Sequence, residues 1–314
     1  MIIITGNIQS IVEGTRSHHQ KFEEEIQPYT NELWKYCRYV TGSPWEGEDL
    51  YQETLLKAFA MLPQMWRPVN TKAYLFRIAT NGWIDECRKR KENFYEDEPA
   101  EVEASDADHF EIKDALEYLV GNLTPKQVST ILLMDVFQFK ANEVANMIHM
   151  TENAVHATLH RARKKLRSIH AEDTTTENSP LAFNDTKVVD RYLEAFNNRD
   201  IDTMVNLMSD TIHMEVTPGF QEFSKEDVKK GSSQAGIMGK KIFREYLWGK
   251  WVLIVLAETS EGLALHDVQY QDVANDKIVR HKSYFFCRQL LTEIAEKINV
   301  PLQLDKPPVN WNTN

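Results

Sequence analysis

Residues 141–167 constrain this chain more than any other stretch. They read as a short helix, a tight turn and a second helix, apolar along one edge and cationic along the other. Val155, Leu159, Ala162 and Leu166 recur at intervals of four, three and four, which makes one narrow stripe that has to be buried. At about 100° per residue, His156, His160, Arg163, Lys164 and Arg167 project on the opposite side, with Arg161 on a flank. Glu143, Val144 and Ala145 belong to the supporting helix. His149-Met150-Thr151 is the turn, with Thr151 placed to cap the second helix. A helix packed on one edge and basic on the other suits a DNA groove. A solvated basic helix end has the same spacing, so the segment alone leaves both readings open.

At 314 residues the chain has room for two or three domains. Its net charge of -11 argues against strong unaided binding to nucleic acid until that charge is located. Residues 92–114 carry ten Asp or Glu against a single base, Lys113, so the acidity is concentrated away from the basic helix. No apolar run approaches the roughly 18–20 residues that cross a bilayer. The opening Met-Ile-Ile-Ile-Thr-Gly lacks the basic and long apolar regions of a secretory signal. Cys37, Cys87 and Cys287 are scattered and odd in number. They make neither a disulfide framework nor a zinc pattern, which fits a reducing, cytoplasmic setting and a chain without a metal cofactor.

Periodicity divides the chain. Residues 18–41 read as one amphipathic helix, 45–62 as a second with acids in its first turn, and 71–91 as a third ending Arg88-Lys89-Arg90-Lys91. Residues 1–91 are thus an all-helical domain and 92–114 an acidic linker. Helical pattern resumes at 112–121. It restarts at Leu123-Thr124-Pro125-Lys126-Gln127, where Thr124, Pro125 and Gln127 occupy the N-cap, N1 and N3 positions of a capping box. Residues 115–170 form a second helical domain, and 171–182 a second linker. Beyond it, helices at 184–198 and 201–208 precede strands at 211–217, 251–258, 262–272 and 277–287, with a closing helix at 288–298. That order indicates an α+β domain over 183–314.

The two helical domains together resemble a sigma factor of the extracytoplasmic-function class, the smallest bacterial sigma-70 type. The resemblance rests on three motifs in order. Residues 48–59, Glu-Asp-Leu-Tyr-Gln-Glu-Thr-Leu-Leu-Lys-Ala-Phe, are similar to the family's core-binding helix in region two. Residues 73–91, Ala-Tyr-Leu-Phe-Arg-Ile-Ala-Thr-Asn-Gly-Trp-Ile-Asp-Glu-Cys-Arg-Lys-Arg-Lys, are similar to its promoter-melting helix. Leu123-Thr-Pro-Lys-Gln and the helix-turn-helix with Arg161-Ala162-Arg163 resemble region four. The resemblance implies that Asp49, Gln52 and Glu53 face the β′ clamp helices of core RNA polymerase, with region four on the β flap. It implies minus-ten DNA contacts for Trp66, Asn81, Arg88, Lys89, Arg90 and Lys91. Base stacking there requires flat side chains, and Tyr74, Phe76 and Trp83 are further aromatics in reach of that role or of the core. It implies minus-35 contacts for His156, Ala157, His160, Arg161, Arg163 and Lys164. Family members often carry Arg and Ser where this chain has His156 and Ala157, so the promoter sequence does not transfer.

The C-terminal segment resembles a SnoaL-like cone of helices on a curved sheet, through Asp190-Arg-Tyr-Leu-Glu-Ala-Phe-Asn-Asn-Arg-Asp-Ile-Asp and the strands ending Lys277-Ile-Val-Arg-His-Lys-Ser-Tyr-Phe-Phe. Similar sigma factors use such a domain in cis to tune activity. A Trp-Leu-Pro-Glu-Pro-like linker motif is absent. Candidate pocket residues are Tyr192, Phe196, His213, Trp248, Trp251 and His266, with Glu215, Asp267 and His281 as further acid–base candidates. His213 and Glu215 share one face of a strand. These residues form no complete acid–base constellation, and a fold alone confers no chemistry. The chain is therefore expected to be non-enzymatic. Its expected fold is two all-α sigma domains plus one α+β SnoaL-like domain. Its expected partners are core polymerase, promoter DNA and either an anti-sigma protein or a small ligand, with no membrane insertion. The alternative reading is a ligand-binding or enzymatic cone domain carrying a DNA-binding arm.

Overall fold

A computed structural model describes residues 8–62, 70–93, 121–169, 186–217, 220–230 and 237–303. The chain divides into two compact units, Met1–Asn178 and Ser179–Asn314. The helix expected at 112–121 and nearly all of both linkers lie outside the described residues.

The first unit opens with α1 (Ile8–Ile26), a single 3₁₀ turn (Gln27–Tyr29) and α2 (Thr30–Thr41). The sequence expectation of one helix over 18–41 is corrected here. Pro28 has no N–H to continue the ladder and its ring crowds the preceding turn, so the chain tightens and restarts. Gly42, at φ 75°, ends α2 in the left-handed region open to glycine. Then follow α3 (Pro44–Met61) and α4 (Thr71–Asn93). At Gly47, where α3 crosses α2, a Cβ would stand 2.5 Å from the Arg38 Cα, so only glycine permits this approach.

The same unit continues with α5 (Pro125–Ile131), a wide turn over Leu132–Val136, α6 (Ala141–Met147) and α7 (Glu152–Ile169). The capping box forms as its residues dictate. The Thr124 amide donates to Gln127 Oε1 at 2.9 Å, and the Gln127 amide donates to Thr124 Oγ1 at 3.4 Å. The wide turn is closed by the Phe137 amide bonding Leu132 O at 2.9 Å, five residues back, and Gln138 follows at φ 58°. This bulge turns Phe137 and Phe139 onto α2 and α4. Phe137 meets Tyr36 edge-on at 5.5 Å between centroids and Phe76 at 5.2 Å, and Phe139 meets Phe76 at 5.0 Å. Under them, the buried Tyr36 hydroxyl donates to Thr80 Oγ1 at 2.7 Å, because the Thr80 hydroxyl itself donates to Phe76 O. The two helical domains read separately from sequence are therefore packed together.

The second unit comprises α8 (Thr186–Asn197), α9 (Ile201–Asn206), β1 (Met208–Val216), β2 (Phe220–Glu222), α10 (Lys225–Lys230), β3 (Lys240–Leu247), β4 (Lys250–Thr259), β5 (Gly262–Ala274), β6 (Lys277–Ser283) and α11 (Arg288–Lys297). Its single sheet has the order β2-β1-β6-β5-β4-β3 and is antiparallel except where β1 runs parallel to β6. Val188, Val189, Tyr192 and Phe196 of α8 share a core with Ile212 and Met214 of β1, Ile242 of β3, and Leu253 and Val255 of β4. The α+β class expected for this segment is the one observed, while β2, β3 and α10 were not foreseen. The β6 ladder ends at Ser283, short of the expected 287.

Replacing Gly47 with Ala is expected to destabilise the helical unit by about 1–3 kcal/mol, because the methyl meets backbone that cannot rotate away. Urea unfolding of the full chain, followed by helical circular dichroism, measures this; an unchanged first transition would contradict the close approach.

Candidate nucleic-acid interface

The basic helix α7 is presented as its periodicity requires. Val155, Leu159 and Ala162 are buried, while His156, Ala157, His160, Arg161, Arg163 and Lys164 are exposed together along the far side of α7. Thr151 caps the helix, its Oγ1 accepting from the Ala154 amide at 3.2 Å, after a turn in which His149 takes φ 53°. The cations are not equally available. Arg163 grips Asp135 with both arms of its guanidinium, at 3.0 and 2.5 Å, which ties α7 to the wide turn. That hydrogen-bonded carboxylate raises the Arg163 pKa. Lys165 bonds the Asn122 carbonyl and anchors the same helix to the start of the domain. Arg161, bonded at 3.3 Å to Thr158 Oγ1 one turn earlier, and Lys164 make the more accessible charged pair.

On α4 the aromatics separate from the cations. Tyr74, Phe76 and Trp83 are buried and serve the core, whereas Asn81 is half-buried and Arg88, Lys89 and Arg90 are exposed. Arg88 pairs with Asp85 at 3.1 Å, and Arg90 reaches Glu46 and Glu86, each at 3.4 Å. Burial lowers the Arg90 pKa, but Glu46 and Glu86 more than offset this, leaving it raised. Trp66 and the Lys91 side chain lie outside what is described. On α3, Asp49 and Glu53 are exposed, and Gln52 is half-buried with its amide donating at 2.6 Å to the buried Glu48. Glu48 also accepts from Trp34 Nε1 at 2.7 Å. Leu56 stands on the same face as Glu53 and is 62% exposed. Sequence reasoning passed over it because an apolar residue at that position reads as core.

The C-terminal candidates do not converge. Tyr192 and Phe196 lie in the core between α8 and the sheet, and the Tyr192 ring is 6.0 Å from His281. Met214 pairs with His281 in the β1–β6 register, so His213 and Glu215 take the opposite face. There His213 stacks on Phe223 at 5.2 Å, and Glu215 approaches Arg280 at 3.6 Å. His266 sits where the β4–β5 register shifts, bonded to Gln303 at 2.6 Å. Trp248 occupies the β3–β4 turn at φ 47°, and Trp251 lies under the Arg244 guanidinium at 5.1 Å. What the sheet does assemble is a row of buried Asp267, Gln271, His281 and Ser283 with half-buried Gln269. Gln269, Gln271 and Ser283 were not among the sequence candidates. The signal for Gln269 and Gln271 was the alternation of polar residues at 267, 269 and 271 along β5. Among the described residues no group of three or more His, Cys, Asp or Glu could hold a metal ion, and no helix is long and apolar enough to cross a membrane.

Residues 26–93 match the Sigma-70 region 2 family model and residues 113–166 the Sigma-70, region 4 model. The helical unit therefore carries two sigma-70 domains, region two including α4 and region four including the basic helix α7. Among curated proteins the chain is 27% identical over 227 residues to the ECF RNA polymerase sigma factor SigG of Mycobacterium tuberculosis, covering 63% of this chain and 61% of that protein. It is 24% identical over 186 residues to the ECF RNA polymerase sigma factor SigW of Bacillus subtilis, covering 53% of this chain and 96% of that one. The solved structure of the Mycobacterium tuberculosis sigma factor SigJ aligns over 83% of this chain and 95% of that one, with 17% identity and a TM-score of 0.34. Two sigma-70 domain matches thus account for residues 26–93 and 113–166, and an α+β unit follows them. It spans less than two thirds of the length of SigG.

His281 generates a pH prediction. Complete burial pushes its pKa down to about 4, so the folded unit holds it neutral. The unfolded chain protonates it near 6.5, hence between about 6.5 and 4 the unfolded state binds more protons. Its contribution is complete above about pH 6.5 and is lost as pH falls toward 4, a change of about 3 kcal/mol. Urea unfolding of the second unit across that window measures the loss, and a flat profile would contradict the buried imidazole.

Proposed function

We propose that this protein is a promoter-specificity subunit that binds core RNA polymerase, recognises minus-35 and minus-ten promoter elements and starts transcription, with its C-terminal unit modulating that activity in cis. The observation carrying this reading is the α7 face, where exposed His156, Ala157, His160, Arg161 and Lys164 are backed by the buried Val155–Leu159–Ala162 stripe. Phosphate contacts from its cations position the helix, and its first turns meet base edges. A neutral imidazole at 156 and a methyl at 157 cannot reproduce a bidentate arginine–guanine contact, so the minus-35 preference is expected to be this chain's own. On region two, Asn81, Arg88, Lys89, Arg90 and Lys91 would hold melted minus-ten DNA. Asp49, Gln52 and Glu53, together with exposed Leu56, would meet the polymerase clamp. The same half-apolar α3 face suits competition by an anti-sigma protein.

The packing of Phe137 and Phe139 onto α2 and α4 bears on this cycle. Elements centred 25 base pairs apart are separated by about 85 Å at about 3.4 Å per base pair. A packed region four cannot serve both, since α7, 18 residues long, spans only about 27 Å. The closed helical unit is the resting form, and engaging a promoter separates the two domains at the aromatic contact.

Run-off transcription with core polymerase on a genomic promoter library tests the reading, using the full chain and a 1–170 truncation side by side. Promoters are expected to fire. Failure of both forms on every promoter would sink the proposal. Arg161→Ala and Lys164→Ala are each expected to weaken promoter binding about threefold to tenfold and to flatten its salt dependence. Phe137→Ala is expected to raise promoter binding by the full chain, because it loosens the closed form without touching the DNA-facing residues; lowered binding with intact folding would count against the resting-state assignment.

A further inference from the structure

Buried polar atoms in folded proteins are nearly all hydrogen-bonded, and each one left bare costs about 1–3 kcal/mol. The inner face of the C-terminal sheet departs from this at three neighbouring atoms. Gln269 Oε1, Gln271 Oε1 and His281 Nε2 are buried and without partners. Gln269 stands opposite Ser283, and Gln271 opposite His281, so the β5–β6 register sets all three atoms on one face. His281 is fully buried and Gln271 nearly so.

The atoms around them are matched with care. Asp267 Oδ1 accepts from the Val268 amide at 2.7 Å, and Oδ2 accepts from Gln269 Nε2 at 3.0 Å and Ser283 Oγ at 2.8 Å. That carboxylate fixes the Gln269 amide with its nitrogen inward, so its bare atom is an acceptor. Gln271 Nε2 lies 3.1 Å from His281 Nδ1. A donating amide there puts the imidazole proton on Nε2, leaving one bare acceptor and one bare donor. Turning the amide over exchanges the two roles and leaves the same pair. The row therefore offers two acceptors and one donor, bordered by the Tyr192 ring and by Leu253 and Met214. Its carboxylate is already met by three donors, and so the row calls for no counter-charge.

We propose that this row is a binding site for a small uncharged molecule carrying N–H and C=O groups on a flat ring, of the cyclic amide, ureide or nucleobase class. Two N–H groups reach the glutamine oxygens, a carbonyl accepts from the imidazole, and the ring lies against Tyr192. The inference rests on the cis-regulatory reading of this unit: an occupant stabilises the folded unit by binding it and not the unfolded chain, and so couples a metabolite level to the sigma domains.

The test uses the full chain labelled with ¹⁵N-histidine and titrated with uracil, with 2-pyrrolidinone and acetate alongside. Uracil is expected to move the His281 ring nitrogen signals saturably, 2-pyrrolidinone more weakly, and acetate not at all. Gln269→Leu is expected to weaken uracil binding about tenfold, the loss of one hydrogen bond to a buried group. The double variant Gln271→Leu with His281→Leu removes the bare pair together. It is expected to unfold at an equal or higher temperature while losing the response, which separates a ligand site from a structural network. No movement with either cyclic amide, with His281 Nε2 exchanging only with water, would overturn the proposal, as would a double variant that melts well below the parent. Run-off transcription that persists through those failures leaves the sigma reading standing, whereas its absence in every form fails that reading alone.

Discussion

The first unit depends on one aromatic contact. Phe137 and Phe139 arrive on α2 and α4 because a single wide turn displaces the chain by one residue, and everything on either side is arranged to receive them. Tyr36 is held from beneath by the Thr80 hydroxyl. Lys72 lies 5.2 Å from the Phe139 ring centroid while pairing with Glu32 at 2.6 Å, so a cation covers the contact's rim. Aromatic pairs of this geometry contribute about 0.5–1.5 kcal/mol each beyond their burial. Several together hold two small domains without making the closure irreversible. A contact of that strength suits the separation of the two domains proposed above.

The same economy of placement appears around the basic helix α7. Its basic residues divide into those that hold the helix and those that remain available. Arg163 and Lys165 are spent on Asp135 and the Asn122 carbonyl, which fixes the angle at which α7 leaves the domain. A count of cations along the sequence does not make that division, because it is decided by an aspartate 28 positions away.

Much of this was legible in the sequence, for definite reasons. The α7 stripe and the Thr124 capping box are local, and their physics acts within a few residues. Pro28 was local too, but a single 3₁₀ turn inside a sustained apolar period does not disturb the period, so the break went unread. β3 escaped because Lys-Lys-Ile-Phe-Arg-Glu-Tyr-Leu carries charges where a sheet edge tolerates them. In the C-terminal unit Tyr192, Asp267 and His281 were legible as candidates, whereas Gln269, Gln271 and Ser283, which share their face of the sheet, were not. Which face His213 or His281 takes is set by the β1–β6 pairing, a contact across some seventy residues that has no trace in local pattern.

That pairing has a consequence for how the protein is made. β1 is the first strand of its unit, yet it lies beside β6, the last, and the sheet cannot close until β6 has left the ribosome. The helical unit lies within Met1–Asn178 and so leaves the ribosome first. At about 5–20 residues per second, the remainder takes on the order of ten seconds to synthesise. Each nascent chain thus passes through an interval in which its helical unit is synthesised and its α+β unit is not.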